Sequence, residues 1–252
     1  LNAAGGFILA LTAPFLGAIA DKNGRRKPWV AATVVIMSVG ALCLWLVLPG
    51  GEGLGIWSAL ALLLLISVAF AISEVFHNAM LPSIAPLEKV GTISGIAFAA
   101  GNVGGLLLML FVLFAFSMPG TLDWSFLPDA PLFGIDQDAH EHDRIVGPIA
   151  GVWMFLFTLP VLLFTPDGAA SSTPILAAAR QGVRDVMDTL RQLPHYANIA
   201  IYLLSRMFFI DGMVGVMTFG GVYASGTFDW DTTTLLIFGL CTSGSAMLGA
   251  WV

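Results

Sequence analysis

Seven apolar stretches, each about long enough to cross a bilayer and each closed by polar or turn residues, constrain this chain more than any other feature in it. They are residues 1–20, 29–48, 56–80, 93–116, 145–164, 197–224 and 232–252. A membrane-spanning helix needs roughly 20 predominantly apolar residues. None of the seven alternates like a strand, and a backbone in lipid must satisfy its own hydrogen bonds. The sequence therefore predicts an all-α, polytopic transmembrane helical bundle rather than a barrel. Composition agrees: 58% of residues are hydrophobic and 10% charged, against roughly 25% charged in a soluble domain.

The short connections give the orientation. Lys22, Arg25, Arg26, Lys27, Lys89, Arg180, Arg184 and Arg191 fall on one side of an alternating topology, and Arg144 alone lies on the other. Positive residues mark the cytoplasmic face, so the loop 21–28 and the linker 166–198 are expected in the cytoplasm. The acids do the opposite: Glu52, Asp123, Asp129, Asp136, Asp138, Glu141, Asp143, Asp229 and Asp231 all lie outside. The net charge of -6 is then an acidic outer rim, and no nucleic-acid partner is expected. The lipid bilayer is the first partner.

Three regions follow: a five-span bundle over residues 1–165, a linker over 166–196, and the first two spans of a second bundle over 197–252. With Leu1 first and Val252 inside an apolar run, the chain reads as a fragment. The first run has a basic segment after it and none before it, so it does not read as a signal peptide. The linker begins as a loop and turns helical, with Leu176, Ala179, Val183, Val186, Met187 and Leu190 on one stripe and Arg180, Arg184, Asp188 and Arg191 off it. That pattern predicts a surface helix at the inner headgroup level. Cys43 and Cys241 each sit alone in an apolar run, so neither a disulfide nor a zinc site is predicted.

Chemistry is sparse and therefore easy to locate. In the first span Gly6, Ala10, Ala13, Gly17 and Asp21 recur at intervals of three and four, a small-residue stripe that ends in a carboxylate and lets another helix approach closely. Gly24 then permits the positive φ that so short a turn requires, and Lys22, Arg25, Arg26 and Lys27 stay with the headgroups. Charges inside spans are the best pointers to function in a membrane sequence. Glu74, His77 and Asn78 share a face of the third span, and the sixth carries Tyr202, Arg206 and Asp211. The natural reading is a polar cavity near the midplane; the architectural one is that Glu74 and Arg206 simply neutralise each other, or that His77 and Asn78 lie at the headgroup level. In the fourth span Ala97, Gly101 and Gly105 form a stripe with Gly104 beside it, which predicts close helix packing, and the flanking Asn102 bonds across helices or faces the cavity. The outer run Asp136-Gln-Asp138-Ala-His140-Glu141-His142-Asp143 lacks a fixed ligand spacing. It reads as a solvated acidic loop, and neither a metal nor a cofactor is expected.

The loop also carries a resemblance. Gly17-x3-Asp21-Lys22-x-Gly24-x-Arg26-Lys27, with Arg25 between, fills every constrained position of the signature found between the second and third helices of the major facilitator superfamily. Phe76-His-Asn78 through Leu81-Pro82 to Pro86, Ile93-Ser-Gly95 through Gly105, and Arg206 to Gly212 with Phe219-Gly220-Gly221 are similar to one branch of it, the fungal autophagy-related vacuolar amino-acid effluxers and their bacterial relatives. By this resemblance the chain supplies helices two to eight of twelve. It implies a partial bundle of the major facilitator type in a bacterial inner membrane, with Gly17, Asp21 and the loop bases forming half of an inner gate whose other half, the eleventh helix, is among the missing helices of the same protein. It also implies alternating access, export of amino acids or similar small polar solutes, and proton coupling. On that reading Arg206 holds a carboxylate, Asp211 an ammonium, and Glu74 titrates. The antiporter motif of the superfamily has a proline that the run Gly101-Asn102-Val103-Gly104-Gly105 lacks, so antiport is not implied. The alternative is a receptor or scaffold that keeps the fold without transporting. An intramembrane enzyme is not expected, because no Gly-x-Ser-x-Gly elbow, His-Glu-x-x-His or pair of aspartates in adjacent spans is present.

Overall fold

A computed structural model describes residues 2–22, 24–48, 53–120, 124–125, 127–136, 139–168, 174–230 and 232–249. Its helices are α1 (Asn2–Lys22), α2 (Lys27–Cys43), α3 (Ile56–Ile84), α4 (Val90–Val112), the single turn α5 (Glu141–Arg144), α6 (Val146–Phe164), α7 (Ile175–Gln192), α8 (Ala197–Phe228) and α9 (Thr232–Gly249). The one β pairing among the described residues is an isolated bridge between Val47 and Gly53. The chain is therefore all-α, as the apolar runs require. Five of the helical segments are long and apolar enough to cross a membrane, namely Lys27–Leu46, Ile56–Ile84, Leu87–Ser117, Glu141–Phe164 and Ala197–Phe228. The two remaining expected spans are α1 and α9. They are helical but not among those five.

Local chemistry sets the helix ends. Pro28 opens α2 within its first turn, where a missing N–H is harmless. Ala85 precedes Pro86 and is extended at ψ 143°, and Thr165 precedes Pro166 with ψ 139°; a residue before proline is pushed out of the helical region, so α3 and α6 stop there. At the far end of α4 the backbone continues as a π-helical turn, Leu113–Ser117.

The chain divides into two compact units, Leu1–Ser94 with Leu107–Val183, and Gly95–Leu106 with Arg184–Val252. In the first, α2 packs on both α3 and α6, and α1 packs on α3. Its main core gathers Leu16, Ile19, Val30, Val34, Met37, Ala69, Phe76 and Met80, with Trp29 stacked on Phe76 at 5.3 Å between ring centroids. A smaller core joins Val112, Ala115 and Phe116 to Ile135, Ile145 and Ile149. In the second unit α8 packs against α9, and Tyr223, Phe228, Trp230 and Phe238 form a chain of ring contacts.

Two glycines set the approach of α2 and α6, and neither belongs to the stripes that the sequence pattern singles out. A Cβ on Gly151 would lie 2.9 Å from the Ser38 carbonyl oxygen and 3.0 Å from the Ala41 Cβ, and one on Gly147 would lie 2.8 Å from the Ala41 carbonyl oxygen. The α2–α6 seam closes because these two positions carry no side chain. Gly101, Gly104 and Gly105 were expected to bring helices close, yet a Cβ on any of them would meet nothing within 4 Å. The repeat fixes which face of α4 is smooth. It does not fix what lies opposite.

Candidate functional site

Gly24 adopts φ +73°, the left-handed turn expected of it, and α2 begins three residues later. Arg26 takes the N-cap position of α2 without a capping side chain of its own. The cap comes from far along the chain: Asp167 Oδ1 accepts the backbone N–H of Arg26 at 2.9 Å and that of Lys27, more weakly, at 3.5 Å. The same oxygen accepts the Gly168 N–H at 2.9 Å. An anionic side chain on the first amides of a helix satisfies orphan donors and complements the positive end of the helix dipole. Lys27 returns the favour to α6, donating from Nζ to the Leu162 carbonyl at 2.8 Å, among the last carbonyls that a helix leaves unpaired. A Cβ on Gly168 would overlap the Gly24 carbonyl oxygen, so backbone meets backbone here. Arg25 is exposed and Arg26 half-buried. The side chains of Asp21 and Lys22 lie outside the described residues.

The opposite end of the same helix pair repeats the device. Arg144, at the N-terminal flank of α6, donates through Nε to the Trp45 carbonyl at 3.2 Å and through Nη2 to the same oxygen. Its guanidinium centre stands 4.5 Å from the Trp45 ring centroid. Each helix thus has its carbonyl end capped by a base from the other helix's N-terminal flank. Asp167, Gly168, Leu162 and Trp45 were not singled out by the sequence, and the available hints were a Pro-Asp-Gly after a span and a lone base on the acidic side.

The polar residues inside the spans behave differently. On α3, Glu74 and Asn78 are exposed and His77 half-buried. The His77 Nδ1 lies 3.2 Å from both the Ser73 hydroxyl and the Ser73 carbonyl, so His77 is tied within its own helix. On α8, Tyr202, Arg206 and Asp211 are all exposed. Neither Glu74, Arg206 nor Asp211 has a hydrogen-bonding or ionic partner among the described residues. In the second unit Asn102 donates to the Phe98 carbonyl at 2.9 Å. With Phe98, Gly101, Gly105, Leu106 and Ser243 it lines a pocket of about 310 Å3. Asn102 and the α4 glycines Gly101 and Gly105 thus share the wall of a local pocket.

In the connection before α6, His140, His142 and Asp143 bring their ligand-capable atoms within 4.8 Å of one another. His140 Nδ1 is 3.4 Å from Asp143 Oδ2, and His142 Nε2 is 3.6 Å from Asp143 Oδ1. Imidazole and carboxylate suit a first-row divalent ion, although the group is largely exposed. Gln137 and Asp138 lie outside the described residues. The linker helix α7 carries a contact between Arg191 and Asp188 at 3.4 Å on its polar face, and Leu176, Val186 and Met187 on its apolar stripe are exposed.

Comparison with known proteins adds the following. The family model described as "Vacuole effluxer Atg22 like" matches residues 1–252. A curated relative, the "Uncharacterized MFS-type transporter YxiO" of Bacillus subtilis (strain 168), is 23% identical over 221 residues, covering 87% of this chain and 47% of the relative. The chain spans about half the length of that relative. No solved structure matches it.

Proposed function

The chain belongs to the Atg22-like vacuole effluxer family and is an integral membrane protein, and from that premise we propose that it serves secondary transport by alternating access. The observation that carries this reading is the gate loop. Its turn glycine is in the left-handed region, and the Arg26 amide is held by Asp167 from the end of α6, which supports reading its described part, residues 24–28, as a fixed surface. A fixed loop is what a second bundle needs if it is to engage and release the first. The orientation that fits has loop 21–28 and linker 166–198 in the cytoplasm of a bacterial inner membrane.

Export of amino acids or similar small polar solutes is the proposed activity. Arg206 would take the carboxylate of such a solute and Asp211 its ammonium. Glu74 would carry a coupled proton, as an ionisable group placed within a span is suited to do. Support comes from the exposure of all three groups and from the lack of a partner for any of them among the described residues, as residues kept for a mobile ligand should be. Asn102, above its own pocket, is a fourth candidate.

The test is amino-acid efflux from vesicles containing the protein at its full genomic length, with and without a proton gradient. Glu74→Gln should lose the response to the gradient while retaining downhill exchange, and Arg206→Gln should lose both for carboxylate-bearing solutes. Unchanged gradient-driven flux in Glu74→Gln removes the proton role. If Glu74, Arg206 and Asp211 can all be neutralised in an inserted protein without any loss, a receptor or scaffold replaces the transporter.

A further inference from the structure

The end of the α2–α6 seam away from the gate loop opens into a cavity of about 840 Å3, walled by α2, α3 and α6. That volume falls within the roughly 300–1,000 Å3 typical of ligand sites. Met37, Ala41, Leu63, Ile66, Phe70 and Met154 make its walls apolar. Ser67, on the same wall, already spends its hydroxyl on the Leu63 carbonyl at 2.8 Å. Charge appears only at the mouth, where Asp143 and Arg144 stand side by side.

Both mouth residues keep capacity for a ligand. Arg144 has five N–H donors, and two of them go to the Trp45 carbonyl. The remaining three sit on a guanidinium pinned over the Trp45 ring, at the level where aromatic and basic residues mark the membrane–water boundary. The Asp143 carboxylate is largely exposed, and the titratable groups facing it are His140 at 3.4 Å and His142 at 3.6 Å. An apolar cavity among membrane spans is a poor place for water, because its walls offer no partners. An acyl chain fills it without that cost.

We propose that this cavity holds one phospholipid of the leaflet opposite the gate loop, its acyl part between α2, α3 and α6, its phosphate on Arg144 and a primary ammonium on Asp143. The adjoining acid and base select for a headgroup that carries both charges and can donate hydrogen bonds, as phosphatidylethanolamine does. A choline headgroup has the charge but no N–H to donate. A glycerol headgroup leaves Asp143 facing no cation. The inference depends on the chain spanning a bilayer and not on what it transports.

The experiment is lipid retention by the purified protein, read by native mass spectrometry after exposure to phosphatidylethanolamine, phosphatidylcholine and phosphatidylglycerol of identical acyl chains. Wild type should retain one ethanolamine lipid with a preference of about tenfold over choline, the scale of one hydrogen bond to a charged group. Asp143→Asn, at an exposed position, should abolish that preference without changing choline retention. Ala150→Phe, which fills the cavity from α6, should reduce retention of all three lipids. Equal retention of ethanolamine and choline lipids by wild type overturns the proposal, as does a preference for the glycerol lipid, or a preference that survives Asp143→Asn. If Ala150→Phe inserts and leaves retention unchanged, the lipid is bulk annulus and the cavity is not its site; if that variant does not insert, the Asp143→Asn comparison decides.

Discussion

The α2–α6 seam and helix α8 are both built from apolar, membrane-length helices with a few charges, yet they use those charges in opposite ways. At the seam every described base that reaches the partner helix ends on a backbone carbonyl: Lys27 on Leu162 at one end, Arg144 on Trp45 at the other. Between these ends Gly147 and Gly151 hold the helices at contact distance. On α8, Arg206 and Asp211 reach nothing among the described residues, and Gly212, Gly215 and Gly220 have open space beside them. Charge that caps a helix is architecture, and its removal should be felt as lost stability. Charge without a partner among the described residues contributes less to the packing seen here, and its removal is expected to be felt mainly in function.

The sharpest way to break this contrast is to add a side chain at corresponding places in the two regions. Gly151→Val forces atoms into the Ser38 carbonyl and the Ala41 Cβ, and overpacking of that kind costs about 1–3 kcal/mol or more when the obstacle is backbone. Thermal unfolding in detergent should show a clear fall in Tm. Gly212→Ala places a methyl where nothing lies within 4 Å and removes a poor helix former, so its Tm should hold or rise, by up to about 1 kcal/mol of helix propensity. A similar fall in both variants would mean that the seam is not specially tight.

A smaller effect is expected at the cap. Asp167→Ala leaves the first amides of α2 without their acceptor, and loss of a capping side chain costs about 1 kcal/mol. Asp167→Asn keeps an acceptor but loses the charge, for which roughly 0.3–1 kcal/mol is usual at a helix end. The order in Tm should therefore be wild type, then Asn, then Ala. Hydrogen exchange at the Arg26 and Lys27 amides should accelerate in the same order. Unchanged exchange in Asp167→Ala would show that the contact does not hold the gate loop. Gly168→Ala should mimic it, since the added methyl has to displace the Gly24 carbonyl.

Lys27→Met removes a charge-assisted bond to a carbonyl that other donors near the helix end can still reach. We expect a stability loss smaller than that of Asp167→Ala, measured in the same unfolding series. A larger loss would shift the weight of the inner end from the carboxylate to the lysine.

Much of this was legible in sequence because it depends on local rules. Apolar runs of span length became α2, α3, α4, α6 and α8, the prolines at 86 and 166 ended their helices, and Gly24 took the positive φ that its place in a four-base turn demanded. The seam was not legible, because its determinants are pairings across long separations. Asp167 meets Arg26 from 141 residues away, and Arg144 meets Trp45 from 99. No periodicity encodes either. The glycine patterns diverge for a related reason: the i, i+4 repeat of Gly101 and Gly105 borders a pocket among the described residues, whereas Gly147 and Gly151 show the same repeat in a run that attracted no notice and close the α2–α6 seam. In the candidate site, Glu74, Arg206 and Asp211 stood out by being charged within apolar runs, which is a statement about cost. The structure adds that none of the three has a hydrogen-bonding or ionic partner among the described residues. His77 stood beside Glu74 in the pattern and is bonded back to Ser73.

Arg206→Gln should have the smallest effect on the fold. The residue is exposed and its guanidinium has no hydrogen-bonding or ionic partner among the described residues, so surface-type behaviour with little change in Tm is expected. Asp211→Asn should act alike. Transport should respond in the opposite order: these two variants should lose solute efflux at unchanged Tm, whereas Gly151→Val should lose activity only in proportion to the protein lost from the membrane. Measuring flux per inserted molecule separates the two. If Arg206→Gln lowers Tm as much as Asp167→Ala does, its charge is structural in the complete protein, and the carboxylate-binding role passes to the remaining candidates, with Asn102 and its pocket first among them.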